Sequence, residues 1–344
     1  MTEQMRRPIV LASCRFSFVL VTGLLLFTQV SLAREFTPFR SSNKNPFVRI
    51  FGLPPVQDAS APDTGQIQLT LTQNVSNHFF SHSTGNETVY LDGETRETRL
   101  TMRIGLNQRT DLGIQIAELK NKGGSLDSFI ESWHGFFGLP NGSRDNIKKN
   151  DLQFYFERDG LVRASIREST TGMTDSLVYI SLSNPFSPPV DNRYISLRAG
   201  VKLATGEMQK LTGSGESDYF IDIMLKQQAL ESGIPHSWYA GAGILRTGKS
   251  RWSEDFQKTT IYFGHAGMVW HATQRLDFKC QVDIHTPFYE SNIKAMGENA
   301  VQLILGGSLL IGKGTILDIG VSEDLNPGTG PDVNFQLSLS RSFR

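Results

Sequence analysis

The sequence predicts an all-β chain, an antiparallel transmembrane β-barrel of the outer-membrane type with about 12 to 14 strands and one short helix in a long loop. Three observations lead there. An export pattern opens the chain, a hydropathy period of two recurs down to its last residues, and short turns alternate with long polar connections.

Arg6 and Arg7 precede an apolar run from Phe16 to Val30 and the small-residue site Ser31-Leu32-Ala33. These are the charged, hydrophobic and cleavage regions of a secretory signal. The run falls short of the roughly 20 apolar residues that span a bilayer, so residues 1–33 read as a signal peptide rather than an anchor. Leu11-Ala12-Ser13-Cys14 resembles a lipoprotein box, but the main apolar run follows it, and cleavage after Ala33 removes Cys14. Cys280 then has no partner, so the mature chain is predicted to carry no internal disulfide.

The whole chain balances 34 basic against 34 acidic residues. Loss of Arg6, Arg7, Arg15 and Glu3 with the signal leaves no basic excess, which argues against a nucleic-acid partner. No later segment is long and apolar enough for a transmembrane helix. Residues 34–64 contain Pro54-Pro55, which disfavours regular helix or central strand, and show no sustained alternation. They are read as a periplasmic extension or a plug, with the barrel at 65–344.

From Gln66 to Asn77, Ile67, Leu69, Leu71 and Val75 alternate with Gln66, Gln68, Thr70, Thr72 and Asn74. The pattern returns in Leu100, Met102, Ile104 and Leu106, and again in Leu276, Phe278, Cys280, Val282 and Ile284. A period of two gives a strand one dry face and one wet face. Soluble sandwiches alternate too. The choice of membrane rests on short turns, Asn107 to Asp111, His271 to Arg275 and Gly312 to Gly314, set against the long connections Lys120 to Asn150, Gly206 to Ser217 and Asp324 to Asp332. The last strand, Val333 to Phe343, ends with an aromatic residue next to last, as a substrate of the barrel-assembly machinery does.

Alternating segments fall near 66–77, 97–107, 111–119, 151–157, 161–168, 176–184, 193–204, 218–228, 237–247, 259–270, 275–285, 299–311, 315–323 and 332–343. If 151–157 and 161–168 form a hairpin in an outer loop, two fewer strands remain for the barrel. In the long connection, Ser128 and Glu131 form a capping box, with Trp133, Phe136 and Phe137 at helical spacing behind it. A short helix is predicted there: a constriction or lid in the mouth, a contact with the outer leaflet through its aromatic residues, or a loop packing its own small core.

Asn45-Pro46-Phe47, Gly52-Leu53-Pro54, Ser128-Phe129-Ile130-Glu131 and Phe137-Gly138-Leu139-Pro140-Asn141-Gly142 with Arg144-Asp145 resemble the uncharacterised Gram-negative family DUF3187. Leu203-Ala204-Thr205-Gly206 and Val321-Ser322-Glu323-Asp324-Leu325 fit the same family. The resemblance implies an outer-membrane barrel and no established activity.

Strand parity puts Arg99, Arg103, Arg163, Arg167, Arg198 and Lys202 on the polar face of the earlier strands, and Asp218, Asp222, Asp277, Asp283 and Asp318 on that of the later ones. Lys279 is the exception in the later half. Opposed walls of unlike charge predict a pore that sorts small hydrophilic solutes. Alternatively the same charges pair and fill a narrow lumen, as in a closed structural or surface-binding barrel acting through its outer loops.

A lipid-modifying enzyme is the third reading. His285 and Ser308 are the residues nearest to a hydrolytic pair, but they lack a strained nucleophile turn and an orienting partner. His78 and His82 flank Phe79-Phe80-Ser81 without further metal ligands. No phosphate loop, paired-cysteine motif or dinucleotide fingerprint is present, so no cofactor is expected and outer-membrane lipid is the partner class. Gly241 and Gly243 predict curvature or close packing.

Overall fold

The computed structural model describes residues 36–124, 151–186, 192–229, 236–312 and 314–344. One antiparallel sheet holds every strand among them. In chain order these are β1 (Ile67–Thr84), β2 (Glu87–Gly105), β3 (Thr110–Lys122), β4 (Gln153–Arg158), β5 (Leu161–Ile166), β6 (Thr170–Met173), β7 (Ser176–Ser183) and β8 (Arg193–Leu203). They continue with β9 (Asp218–Gln227), β10 (His236–Arg246), β11 (Thr260–His271), β12 (Leu276–His285), β13 (Ala300–Leu310), β14 (Thr315–Asp324) and β15 (Val333–Phe343).

The last strand returns to the first. β15 pairs with β1 from Ile67↔Phe343 to Asn77↔Val333, and β2 pairs with β3, so a 12-strand ring shuts through β1, β2, β3 and β7 to β15. Closure leaves the ring itself without a free edge, as a strand-built membrane span requires. β4 lies outside the ring against Glu87–Asp92 of β2, β5 pairs with β4, and β6 borders β3 at Glu118–Asn121. Segments 151–157 and 161–168 are therefore the hairpin beyond the wall.

Two differences from the alternation have a common cause. β1 and β2 continue beyond the ring to Thr84 and Glu87, and β6 had no predicted counterpart. Above the rim there is no lipid face, so the backbone ladder from His78↔Gly93 to Thr84↔Glu87 persists without period-two hydropathy.

The outward face is apolar around the ring. Leu71, Leu100, Ile180, Ile223, Met268, Leu305, Ile319 and Leu337 are all exposed, each on a different strand. Aromatic residues mark both ends of this belt. Tyr219 and Tyr262 stand near the long-loop end, while Trp238, Trp270, Phe278 and Phe343 stand near the short-turn end. Aromatic girdles flanking an apolar band are the lipid contact of such barrels. At about 25 cal/mol per Å² of apolar surface removed from water, the belt favours insertion strongly.

The inward face is polar and bonded. Thr70 and Thr72 of β1 meet Ser340 and Ser338 of β15 at 2.9 and 3.0 Å, and Ser76 donates to Asn334 Oδ1 at 2.9 Å. Gly243 lies opposite Phe263 and Gly241 opposite His265, with each facing ring in the space a Cβ would need. Close packing is thus the use of both glycines.

Residues 36–63 occupy the interior as a loop that rises and returns. At the short-turn end the Phe36 carbonyl accepts from Lys226 Nζ at 2.9 Å. The ascending limb follows the late strands: Phe39 N donates to Gln281 Oε1 at 3.0 Å, Ser41 donates to Asp283, and Asn43 Nδ2 meets His285 Nε2 at 2.8 Å. The descending limb follows the earlier strands: Gly52 N donates to Asp218 Oδ2 at 2.7 Å, Gln57 Nε2 to Ser181 Oγ at 3.1 Å, and Lys226 Nζ to Asp58 Oδ1 at 2.8 Å. Its tip forms an apolar roof with the long loops. Phe51 stacks on Phe288 at 4.9 Å, and Trp252 packs edge-on against Tyr289 at 5.4 Å.

Candidate functional site in the barrel interior

Parity places most of the predicted charges where the sequence puts them. Arg103, Arg198, Lys202, Asp218, Asp222, Asp277 and Asp318 are buried inside the ring, Asp283 accepts from Ser41, and Arg99 faces the same interior. Arg163 and Arg167 are the departures. Both belong to the β4–β5 side of the sheet and lie outside the wall, where Arg163 bonds the exposed Asp255 at 2.7 Å and Arg167 covers the Tyr155 ring. Alternation reads which face of a strand is wet, and a hairpin above the rim has no lumen for that face to meet.

The charges do not separate into opposed walls. Arg198↔Asp222 and Lys202↔Asp218 are direct cross-strand partners, so each cation sits beside its acid. Arg103 Nε and Nη2 hold the two Asp111 oxygens at 2.9 Å each, and Lys279 pairs with Asp318. Local pairing cancels most of the transverse field that the sequence predicts.

One part of the interior departs from this cancellation. A cavity of about 60 Å³ lies between the inserted loop and the walls of β2, β3, β7 and β8. Its charged rim holds Lys44, Arg49, Arg99 and Lys202 against Glu97 and Asp175. Asp175 is fully engaged, accepting from Lys202 Nζ at 2.6 Å, Gly206 N at 2.7 Å and Ser214 N at 3.2 Å. Glu97 Oε1 accepts from Arg99 at 2.8 Å, Lys44 at 3.1 Å and Asn74 Nδ2 at 3.3 Å. Arg49 Nη1 and Nη2 and Arg99 Nη1 are buried there without a protein hydrogen-bond partner. Burial, then the Arg99 charge, lowers the Lys44 ammonium to about 7, and burial lowers Arg49 to about 10.

Lys44, Arg49, Glu97, Lys226 and Asp111 were missed as site residues. Glu97 and Lys226 were legible, since they share the phase of Arg99 and Asp222. Lys44 and Arg49 carried no such signal because the inserted loop has no period.

His285 and Ser308, weighed above as a hydrolytic pair and set aside, do not meet. Asp277 lies opposite Ser308, while His285 lies opposite Ala300 at the other end of the β12–β13 ladder. A different chain does form: Ser237 Oγ lies 2.8 Å from His271 Nε2, and His271 Nδ1 lies 2.8 Å from Asp277 Oδ1. Ser237 Oγ also accepts from Ala229 N at 2.9 Å, its residue has no exposed surface, and the Phe36 ring is 6.2 Å from that of His271. The chain ties the base of the barrel, and Ser237 is wholly buried within it. No group of three metal-ligating side chains occurs among the described residues, and His78 is buried against Thr95 and Phe154 whereas His82 is exposed. The predicted loop helix of Ser128, Glu131, Trp133, Phe136 and Phe137 lies outside the described residues, as does the signal segment.

With the closed ring and its interior established, the relationships of the chain become informative. The model of a family described as protein of unknown function, DUF3187, matches residues 15–343. The chain belongs to DUF3187. An outer membrane channel from Pseudomonas putida F1 shares the fold of this DUF3187 member, with a TM-score of 0.55 at 12% identity over 83% of this chain and 98% of that one. Weaker likenesses include the NanC porin, TM-score 0.43 and 7% identity over 81% and 99% of the two chains. Another is the toluene transporter TbuX of Ralstonia pickettii, TM-score 0.40 and 8% identity over 82% and 90%. No curated protein matches the chain.

Proposed function

We propose that this DUF3187 protein is a passive outer-membrane channel or transporter for small solutes, and that residues 36–63 are its plug. The observation that carries the reading is the interior itself: a closed ring with a polar inner wall, filled by a loop whose two ends lie at one end of the barrel, with a cavity of about 60 Å³ left beside it. The apolar belt and its aromatic edges support a place in the outer membrane, and the reading takes export by the signal segment and insertion by the barrel-assembly machinery as the route there. The likeness to an outer membrane channel supports the architecture.

The bonds that hold the loop make the native state closed. Planar-bilayer recordings of the refolded protein are therefore expected to be silent or to flicker rarely, whereas a variant lacking residues 36–62 opens in discrete steps. Gly52→Ala provides a variant that keeps the chain length. Its Cβ would stand 2.9 Å from Lys202 Cβ and 3.2 Å from Asp218 Cβ, so the loop must lift and opening must become more frequent. Silence in both variants, each inserted correctly, would overturn the channel reading. It would then favour the closed barrel that acts through its outer loops, which the apolar roof also supports.

We further propose that the protein is not a hydrolase. Ser237 is expected to remain unlabelled by a serine-reactive fluorophosphonate in detergent and in bilayers, and labelling lost on Ser237→Ala would reverse that assignment.

A further inference from the structure

Above the ring, two halves of the molecule meet over the tip of the inserted loop. One half is the upper β1–β2 ladder with the β4–β5 hairpin beside it, and it buries Val89, Leu91, Phe154, Phe156, Ala164 and Ile166. The other half is residues 247–259 after β10 and 286–299 after β12, which bury Trp252, Phe256, Phe288, Tyr289, Ile293 and Met296 in the same cluster.

Phe47, at the loop tip, touches both. Its ring lies 6.2 Å from that of Phe156 on one side and 5.7 Å from that of Trp252 on the other, and its carbonyl accepts from the Tyr289 hydroxyl. Phe51 adds contacts to Phe288 at 4.9 Å and Tyr289 at 6.0 Å. Two further bonds reach the loop between β14 and β15: Asn43 Nδ2 donates to the Thr329 carbonyl at 2.8 Å, and Asn45 Nδ2 to the Gly328 carbonyl at 3.2 Å.

The polar seam between the halves lies away from the tip. Glu87 accepts from Ser291 Oγ at 2.8 Å and Asn292 N at 3.0 Å, Arg158 donates to the Glu290 carbonyl at 2.6 Å, and Arg163 reaches Asp255 at 2.7 Å. Asp255 is open to water, where an ion pair contributes little. Loss of the Phe47 ring would leave a void bounded by both halves, and a buried aromatic is among the costliest side chains to remove.

We propose that these two halves form a cap over the outer mouth and that Phe47 is the wedge holding them together, so that plug and cap release as one closure. The proposal rests on the reading of residues 36–63 as a plug. Such coupling is reciprocal: whatever loosens the cap from outside weakens the hold on the loop tip by the same factor.

The test reads the cap through a thiol. Ala164 lies opposite Phe156 in the β4–β5 ladder and is buried in the shared cluster. Ala164→Cys, in a full chain that also carries Cys14→Ser and Cys280→Ser, therefore reports water reaching the cap interior. The refolded protein in detergent micelles is treated with a water-soluble maleimide. Labelling is expected to be slow with the inserted loop intact, at least about tenfold faster on adding Phe47→Ala, and at least as fast as that in the variant lacking residues 36–62. Heat-modifiable migration on a gel verifies that the ring is folded. If Phe47→Ala does not refold, Tyr289→Phe removes only the hydroxyl that reaches the Phe47 carbonyl, and is expected to speed labelling by about threefold.

Fast labelling of the intact chain would mean an open mouth and overturn the cap. Slow labelling that the deletion leaves unchanged would mean a cap that stands without the loop, and overturn the coupling. Labelling raised by the deletion but by neither Phe47→Ala nor Tyr289→Phe would overturn the role of Phe47. The channel reading fails separately: faster labelling of the deletion variant with no conductance in a planar bilayer keeps the coupled cap and removes transport, whereas conductance with unchanged labelling keeps transport and removes the coupling.

Discussion

Arg103 illustrates what a single interior charge does here. Its guanidinium takes both Asp111 oxygens and also donates to the Ser60 carbonyl at 2.9 Å, so one side chain joins β2, β3 and the inserted loop. Both partners of the pair are almost wholly buried. Removing one leaves an uncompensated charge, so Arg103→Ala is expected to lower unfolding stability by about 3–5 kcal/mol. Urea titration of the refolded protein checks this. The double replacement Arg103→Met with Asp111→Leu should recover most of the loss, because it removes the buried charge together with its partner. A single-variant loss below about 1 kcal/mol would mean that water reaches Asp111.

At the scale of elements, the lipid belt makes a sharper prediction than exposure does. Leu305 on β13 and Leu325 in the loop after β14 are exposed to similar extents, 51% and 56%. In water an arginine would be tolerated at both. In a bilayer Leu305→Arg is expected to cost about 2–4 kcal/mol of folding free energy, and Leu325→Arg little. Refolding into lipid vesicles at a series of urea concentrations separates the two, and equal tolerance would argue for a soluble β-protein.

The same scale shows what the sequence could and could not convey. Strands that divide lipid from lumen write a period of two, and β1, β12 and β15 were legible for that reason. The upper parts of β1 and β2, and all of β6, divide water from water or from loop, so they form by backbone pairing with no hydropathy trace. The lumen charges were legible as a face but not as pairs. Register, which puts Arg198 opposite Asp222, depends on turn geometry and closure rather than on either strand alone. Arg49 was beyond reach because an irregular segment has no face to read.

For the whole molecule, the inserted loop bonds strands all round the wall, and its two limbs share Lys226 of β9. The ascending limb bonds β12 and β14, and the descending limb bonds β7, β8 and β9. Stability of the ring and occupancy of its interior are therefore linked. The variant lacking residues 36–62 is expected to unfold at lower urea than the intact chain, with a smaller denaturant slope because less surface is exposed on unfolding. An unchanged midpoint would mean that the loop sits in the ring without supporting it.

Phe36 and Asp63 lie at the same end of the barrel, beside Lys226 and Gly105 respectively. A strand passed through a ring can leave only if a free end is drawn the whole way through. A bight pushed in from one side withdraws like a folded cord, without cutting, unthreading or opening the ring. The short-turn side is therefore the only direction from which a pull meets the loop by both of its ends.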